Sequence, residues 1–451
     1  MSMAELKPPV NRSLGAALAE AEERYVRANP GSAAHAADAA ASLPGGNTRT
    51  TLHYSPFPLV LRSGQGSTVT DVDGHRYVDF INEHTAGLFG HSNPVIGRAI
   101  EQALEGGLVL GGPNVHEHRL AAEIIRRFPA VERLRFCNSG TEANLLALST
   151  ARAVTGKTDV MVFDGAYHGS LIYFGHGASP MNVPFPYVRS QFNDPERAAA
   201  DIARHAGRLA AVIVEPMQGG AGALPGEPDF LRALREACDR HEVLLVFDEV
   251  MTSRLGHGGV QGLLGIRPDL TSLGKYIGGG LTVGAFGGRA EIMDRFDPSR
   301  PDAFPHGGTF NNNVLAMAAG HAALSRILTP EASERLNALG DRLRDGINAR
   351  AEQHGLPVVA TGLGSILGLH FHRGPARNEA DLDAFERGRV GAVRDLKKLF
   401  QYDMFERGQY VTRRILMNLS LETTEQQVAD LLGCIDEFFA TRGPLIRDAL
   451  S

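Results

Sequence analysis

Cysteine is scarce in this chain: Cys137, Cys238 and Cys434 are three in number and far apart. An odd, scattered set of this kind excludes a disulfide framework, and no Cys-x-x-Cys pair offers itself to a metal. A reducing cytoplasm suits such a sequence. Long apolar runs are also missing. Leu209 to Val214 is far too short to cross a bilayer, and Met1 to Val10 holds no apolar core of signal-peptide length, so neither a membrane nor export is expected. No long basic run occurs either. With 45 basic and 51 acidic residues the net charge is −6, which speaks against nucleic acid as a partner. Helical-repeat periods and low-complexity linkers are absent too. What remains is 451 residues, 43% hydrophobic and 21% charged, with room for two or three folded domains.

The pattern along the chain changes twice. Leu14, Leu18, Ala21 and Tyr25 recur at helical spacing until Asn29-Pro30 stops them, and an alanine-rich piece runs to Pro44-Gly45-Gly46. Extended chain follows at Leu59-Val60-Leu61, and Thr68 to Val72 and Tyr77 to Phe80 flank Asp73-Gly74 as a hairpin. From about Pro94, helix faces such as Leu120, Ile124, Ile125 and Phe128 alternate with short apolar strands. The strands are Leu134 to Phe136, Val160 to Phe163, Ala211 to Val214, Val243 to Phe247 and Val283 to Phe286. Strands apolar on both faces belong to a mostly parallel sheet covered by helices, so the fold class is α/β. A last section from Thr329 reads helix, strands, helix, its final helix opened by a Thr424 to Gln427 capping box. The expected division is a large domain over 94–328 and a smaller α/β domain over 329–451, which the segment 1–93 joins.

In such a sheet ligands sit beyond the carboxyl ends of the strands, and the residues there are distinctive. Lys275 ends the apolar run Thr271 to Gly274 and precedes Gly278-Gly279-Gly280, where backbone can pass close to a ligand. Most lysines are solvated surface charges; a desolvated one titrates low and condenses with carbonyls. Asn138-Ser139-Gly140-Thr141-Glu142-Ala143-Asn144 opens a helix with small, hydroxyl-bearing residues, which suits a simple N-cap and a phosphate cup equally. Asp248 and Glu249 follow Val243 to Phe247. With no nucleotide-type phosphate loop to share a magnesium ion, no metal is expected and Asp248 reads as a charge partner. Tyr167-His168-Gly169 offers an aromatic face, although alone it is an ordinary loop. An anion cup, a stacking face, an acid and an amine together match a flat phosphorylated heteroaromatic aldehyde, and pyridoxal phosphate is that molecule.

The motifs Asn138 to Ala143, Tyr167-His168-Gly169, Val214-Glu215-Pro216, Asp248 to Thr252, Leu273-Gly274-Lys275 and Gly308-Thr309-Phe310 follow one another in the order of a known family. Over nearly its whole length the chain resembles the class III aminotransferases of the fold type I pyridoxal-phosphate superfamily. The resemblance implies a cofactor Schiff base on Lys275, a proton transfer by the freed lysine, and Asp248 on the pyridine nitrogen. It further implies Tyr167 and Val250 on the two ring faces and Ser139, Gly140 and Thr141 at the phosphate, with Thr309 arriving from the other subunit of a homodimer. Met251 stands where many ω-aminotransferases of the class carry a glutamine that touches the cofactor's phenolic oxygen. Glu215 receives no role.

Asp248 to Thr252 and Val283 to Arg289 look most like glutamate-1-semialdehyde aminomutase. Two stretches depart from it: Asn312-Asn313-Val314 replaces Gly-Asn-Pro, and Thr412 to Leu416 replaces its Ser-x-Phe-Glu pattern. With Asn47-Thr48-Arg49-Thr50, these departures resemble the group that transaminates aromatic β-amino acids such as β-phenylalanine. There the positions of Arg49 and Arg414 bind substrate carboxylates, with Arg413 a rival to Arg414. The partners so implied are a small-molecule amino donor and a keto acid, 2-oxoglutarate or pyruvate. An aminomutase and a non-catalytic relative that binds the cofactor for regulation are the alternatives, and the intact Lys275 and Asp248 argue against the second.

Overall fold

The computed structural model describes residues 13–451, so Met1 to Val10 lies outside the described residues. Seven strands form the main sheet, in the spatial order Arg133–Cys137, Gly284–Gly288, Leu270–Gly274, Leu244–Asp248, Leu209–Val214, Asp159–Phe163 and Tyr187–Ser190. Alternate residues of its central strands enter two separate cores. Val160, Val162, Ala211, Ile213 and Val246 pack beneath the helix Gly140–Thr155. Met161, Phe163, Val212, Val214, Leu245 and Phe247 pack beneath Pro195–His205 and Pro228–His241. This period of two with both faces covered is why these strands read as unbroken apolar runs. Phe163, Phe192 and Phe230 meet edge to face at 5.1 to 6.2 Å between centroids. Truncating any one of them would cost roughly 3–5 kcal/mol.

One strand departs from the expected direction. Gly284–Gly288 is antiparallel to both its neighbours, Leu270–Gly274 and Arg133–Cys137. The chain between Gly274 and Gly284 holds only the short helical turn Lys275–Gly278 and a loop, too little for the crossover that a parallel strand requires. The polar strand Tyr187–Ser190 was not expected; it sits at the sheet's edge, parallel to Asp159–Phe163.

The two ends of the described chain meet. Helix Leu14–Ala28 lies against Val390–Glu406, with the Tyr25 ring 5.0 Å from Tyr402 and the Tyr25 hydroxyl donating to the Phe57 carbonyl at 2.8 Å. The first helix stops at Asn29-Pro30 as its pattern suggests. Pro30 also opens a new helix, Pro30–Ala39, in whose first turn its missing N–H costs nothing. Asp73, in the hairpin turn, accepts from the Gly31 and Ser32 N–H groups at the start of that helix. The hairpin itself pairs Thr68–Asp71 with Arg76–Asp79, and Gln409–Tyr410 adds a parallel strand from the far end of the sequence. The Thr424 to Gln427 capping box opens the helix Glu425–Ala449 as expected. An apolar core runs from Tyr25 and Tyr402 through to Tyr276 and Ile277, immediately beside Lys275. Among the described residues no helix is long and apolar enough to cross a membrane.

Candidate active site

Neighbouring strand ends bring the chemistry together. Val214 is paired with Phe247 and Asp248 with Ser272, so Glu215, Asp248 and Lys275 emerge side by side at the carboxyl edge of the sheet. Lys275 is held at φ +57, a left-handed conformation that costs a side-chain-bearing residue about 1–2 kcal/mol. Gly274 makes the approach possible, since a methyl there would stand 3.3 Å from the Gly140 N. The following glycines serve mainly to pack protein on protein: at Gly279 a methyl would meet the Ala319 carbonyl at 2.7 Å. Gly280 is the one left open toward the cleft. Lys275 is partly exposed, yet desolvation by surrounding protein lowers its ammonium to about 8. Asp248 and Glu215 pull the other way, and Arg254 adds to the lowering.

Asp248 is buried and fixed on both oxygens. Oδ2 accepts from Asn144 Nδ2 at 2.7 Å and pairs with His168 Nδ1 at 2.8 Å, while Oδ1 accepts from the Val250 N–H at 3.1 Å. Asn144 also donates to the His168 carbonyl, closing a small ring of bonds. Glu215, without a role in the reading of the motifs, holds the loop that carries Tyr167. Its Oε1 accepts from the Tyr167 N–H at 2.9 Å and its Oε2 from the Gly219 N–H at 3.0 Å. Burial pushes its carboxyl up to about 7, with Asp248 adding to the rise and His168 and the two N–H groups opposing it. The Tyr167 ring is 42% exposed and meets Tyr173 edge-on. Met251 lies over Gly219, where an added methyl would strike its sulfur at 2.2 Å.

The helix Gly140–Thr155 is capped at its start and still leaves donors unpaired there. Ser139 Oγ accepts from the Glu142 N–H at 3.1 Å, a true N-cap, and its own O–H remains free to donate. The Ser139 carbonyl takes the Ala143 N–H. The N–H groups of Gly140 and Thr141, with no carbonyl behind them in the helix, are the ones left for an anion. Close contacts shape the cradle: a methyl on Gly140 would sit 2.8 Å from Val250 Cγ1, and one on Gly169, at φ +107, 2.2 Å from Thr141 Oγ1. Donors for a phosphate, a carboxylate aimed by two donors, a half-open tyrosine ring and a low-titrating amine fit pyridoxal phosphate.

Within one chain Thr309 does not join this set. It lines a groove with Leu108, Val109 and Leu110 on an exposed apolar face, where Val109 is 79% and Phe310 59% exposed.

Arg49 lines a neighbouring cavity of about 820 Å³ with Glu83, His84, Gly280, Tyr410 and Arg413. Arg49 Nη1 is ion-paired with Glu83 Oε1. The structure separates the two C-terminal arginines. Arg413 is anchored: Nε donates to Gln401, Nη2 to the Ser55 carbonyl, and its guanidinium lies 5.1 Å from the Tyr54 ring and 5.3 Å from that of Tyr402. Arg414 is exposed, and its positive charge acts on both Tyr167 and His84, opposing the rise that burial imposes on the tyrosine and adding to the lowering of the histidine, which places it near both. His84 is held low, to about 4, by desolvation first and then by Lys275, with Arg49 and Arg414 adding to it.

Sequence reasoning missed four contributors. Asn144 and His168 were within quoted motifs, and the signal that would have found Asn144 is its place three residues after Thr141, on the same helix face. Glu83 and His84 sit in an unusual turn: Asn82, Glu83, His84 and Thr85 have φ of 44, 50, 50 and 81°. Asn82 and His84 are types that tolerate such a conformation, but Glu83 and the β-branched Thr85 are not, so no local signal announces a run of four.

Strand ends that gather an amine, a fixed carboxylate, an aromatic plate and a helix N-terminus on a mostly parallel sheet define a pyridoxal-phosphate-dependent transferase of fold type I. The family described as aminotransferase class-III matches residues 51–392, and the chain belongs to it. Beta-phenylalanine transaminase of Variovorax paradoxus is 47% identical over 430 residues, 95% of this chain and 97% of that one. The crystal structure of a beta-phenylalanine aminotransferase from the same organism superposes with a TM-score of 0.93 at 46% identity, covering 96% of this chain and 99% of that one. Glutamate-1-semialdehyde 2,1-aminomutase of Desulfatibacillum aliphaticivorans is 37% identical over 374 residues, 78% of this chain and 88% of that one. This protein is an enzyme, a class III aminotransferase, and the non-catalytic alternative falls away.

Proposed function

We propose that this aminotransferase takes the amino group of an aromatic β-amino acid such as β-phenylalanine and passes it to 2-oxoglutarate or pyruvate. The observation that supports this reading is a pair of arginines near the lysine turn: Arg49 in the cavity wall with Gly279 and Gly280, and Arg414, whose charge acts on Tyr167 and His84, while Arg413, in the same wall as Arg49, is tied to Gln401 and Ser55. The 47% identity to a beta-phenylalanine transaminase supports it. A carboxylate leaving water needs a charged, forked partner, and guanidinium supplies parallel hydrogen bonds that lysine cannot.

Bound, pyridoxal phosphate supplies an aldehyde for the amine and an electron sink for the carbon that loses its proton. Ser139 with the Gly140 and Thr141 N–H groups would hold its phosphate, Tyr167 and Val250 its ring faces, and Asp248 its ring nitrogen. Asn144 and His168 orient the Asp248 carboxylate, so its charge is already aimed before the reaction begins. Lys275 Nζ takes the proton from the amine-bearing carbon and returns it one position away; an amine near pKa 8 is suited to both directions. Glu215 keeps the Tyr167 loop in register by its two backbone hydrogen bonds.

A homodimer completes the reading, with Thr309 of a second copy closing the phosphate cup. The exposed strip Leu108 to Leu110 and Phe310 around Thr309 is the kind of apolar surface that a second copy would cover. The three free cysteines support a reducing, cytoplasmic setting. The site lies, on this reading, between a large domain over 94–328 and a smaller one built from 1–93 and 329–451.

The test is a donor comparison. Arg49→Ala should raise KM steeply for β-phenylalanine and spare 1-phenylethylamine, while Arg414→Ala should weaken the keto acid. Equal losses on charged and uncharged donors would make the arginines structural. The relatives among aminomutases keep a second reading in view, and fast turnover of glutamate-1-semialdehyde without an acceptor would establish it instead.

A further inference from the structure

Arg49 already has a carboxylate. Its Nη1 pairs with Glu83 Oε1, and both side chains stand in the wall of the cavity beside the active site. We propose that Glu83 is a resident competitor for Arg49, a carboxylate that the substrate's own carboxylate must displace, and that it thereby sets how strongly the enzyme favours carboxylate-bearing donors over plain amines. The inference rests on the preceding reading of Arg49 as a carboxylate-binding residue.

The way Glu83 is presented supports a built feature rather than a chance surface pair. Asn82 to Thr85 is a left-handed turn of four residues that all carry side chains, and such conformations persist only where the surroundings over-determine them. Here they do. Asp79 Oδ1 accepts from the Ile81 and Asn82 N–H groups, Asn82 Nδ2 donates to the Asp79 and Asn418 carbonyls, and Asn418 Nδ2 donates to Ile81. Arg254, fully buried, donates to the Thr85 carbonyl at the far end of the turn. A right-handed turn at these positions would carry the Glu83 and His84 side chains in other directions. His84, next in the turn, is held neutral by burial and by the positive charges around it, so it offers Arg49 no competing charge. The guanidinium has five N–H donors and Glu83 engages one nitrogen, so hydrogen-bonding edges remain for a second carboxylate. The obstacle to that second carboxylate is charge: one cation would face two anions, and like charges at such range repel. Binding therefore requires Glu83 to swing away. An uncharged donor meets no such requirement.

Glu83→Gln keeps the size and an acceptor and removes the charge. The ratio of KM for β-phenylalanine to KM for 1-phenylethylamine should fall about three- to fivefold, the scale set by an exposed ion pair. Calorimetry on the holoenzyme should show 3-phenylpropanoate, an unreactive carboxylate without an amine, binding tighter by a similar factor. In an Arg49→Ala background the Glu83→Gln effect on both measurements should vanish. If Arg49→Ala discriminates between the two donors but Glu83→Gln leaves the ratio and the 3-phenylpropanoate affinity unchanged or moves them the other way, the competitor role is refuted and the reading of Arg49 stands. If Arg49→Ala affects both donors equally, the reading of Arg49 falls and takes this proposal with it.

Discussion

The titration of Lys275 gives the enzyme a measurable signature before any substrate is added. A lysine must be neutral to condense with the cofactor's aldehyde. At its ordinary value of 10.5 about one amine in three thousand is neutral at pH 7, whereas at about 8 the figure is about one in eleven, a gain of roughly 300-fold in attacking species. The experiment mixes cofactor-free enzyme with pyridoxal phosphate in amine-free buffers from pH 6 to 10 and follows the absorbance of the lysine-bound cofactor. The rate should climb about tenfold per unit to a break near 8 and then level off. Lys275→Ala should give no such absorbance. Asp248 and Glu215 both raise the lysine's value, so Glu215→Gln should move the break below that of the native enzyme. The same depressed value has a stability consequence of definite sign: between about 8 and 10.5 the unfolded chain binds the proton that the folded one has released, so the cofactor-free enzyme gains stability as pH rises through that window. A rate that keeps climbing log-linearly to pH 10 would show an ordinary lysine and refute the argument from desolvation.

Asp248→Asn should retain bound cofactor, because the phosphate cup is untouched, yet lose at least about a hundredfold in kcat, since an amide lacks the charge that the site has oriented; near-native turnover would remove Asp248 from the chemistry. Val109→Asp, at a residue 79% exposed in the single chain, should shift the sedimentation coefficient toward monomer and abolish activity together. A fully active monomer would dispose of the shared cup.

Much of the site was legible because its residues are tied to strand ends. Glu215, Asp248 and Lys275 each follow an apolar run, and parallel neighbours in register necessarily present such residues together. The Asp73-Gly74 hairpin and the Thr424 to Gln427 box were legible for a different reason: each is complete within a few residues. What escaped depends on distant chain. The direction of Gly284–Gly288 follows from loop length rather than from composition, since an apolar strand reads alike both ways. Arg413 and Arg414 are adjacent and chemically identical, and only Tyr54, Gln401 and Tyr402 decide which of them is held back. The turn at Asn82 to Thr85 runs against local preference and exists because Asp79, Arg254 and Asn418 hold it.

Arg254 carries a consequence for the order of events at birth. Its guanidinium, buried without a carboxylate, reaches the carbonyls of Thr85 and Leu419, partners 169 and 165 residues away in opposite directions along the chain. A growing chain can form the Thr85 contact once Arg254 has emerged, but Leu419 follows only 165 residues later. Until then the Arg254 guanidinium lacks one of its two carbonyl partners. The sheet is free to condense early from its nearby strands, whereas the pocket must wait for the last helix and strand to close long loops, the slow kind of contact to make. Ribosome-bound chains ending before Leu419 should therefore contain a folded sheet and no cofactor site, and the nascent enzyme acquires its chemistry in one late step.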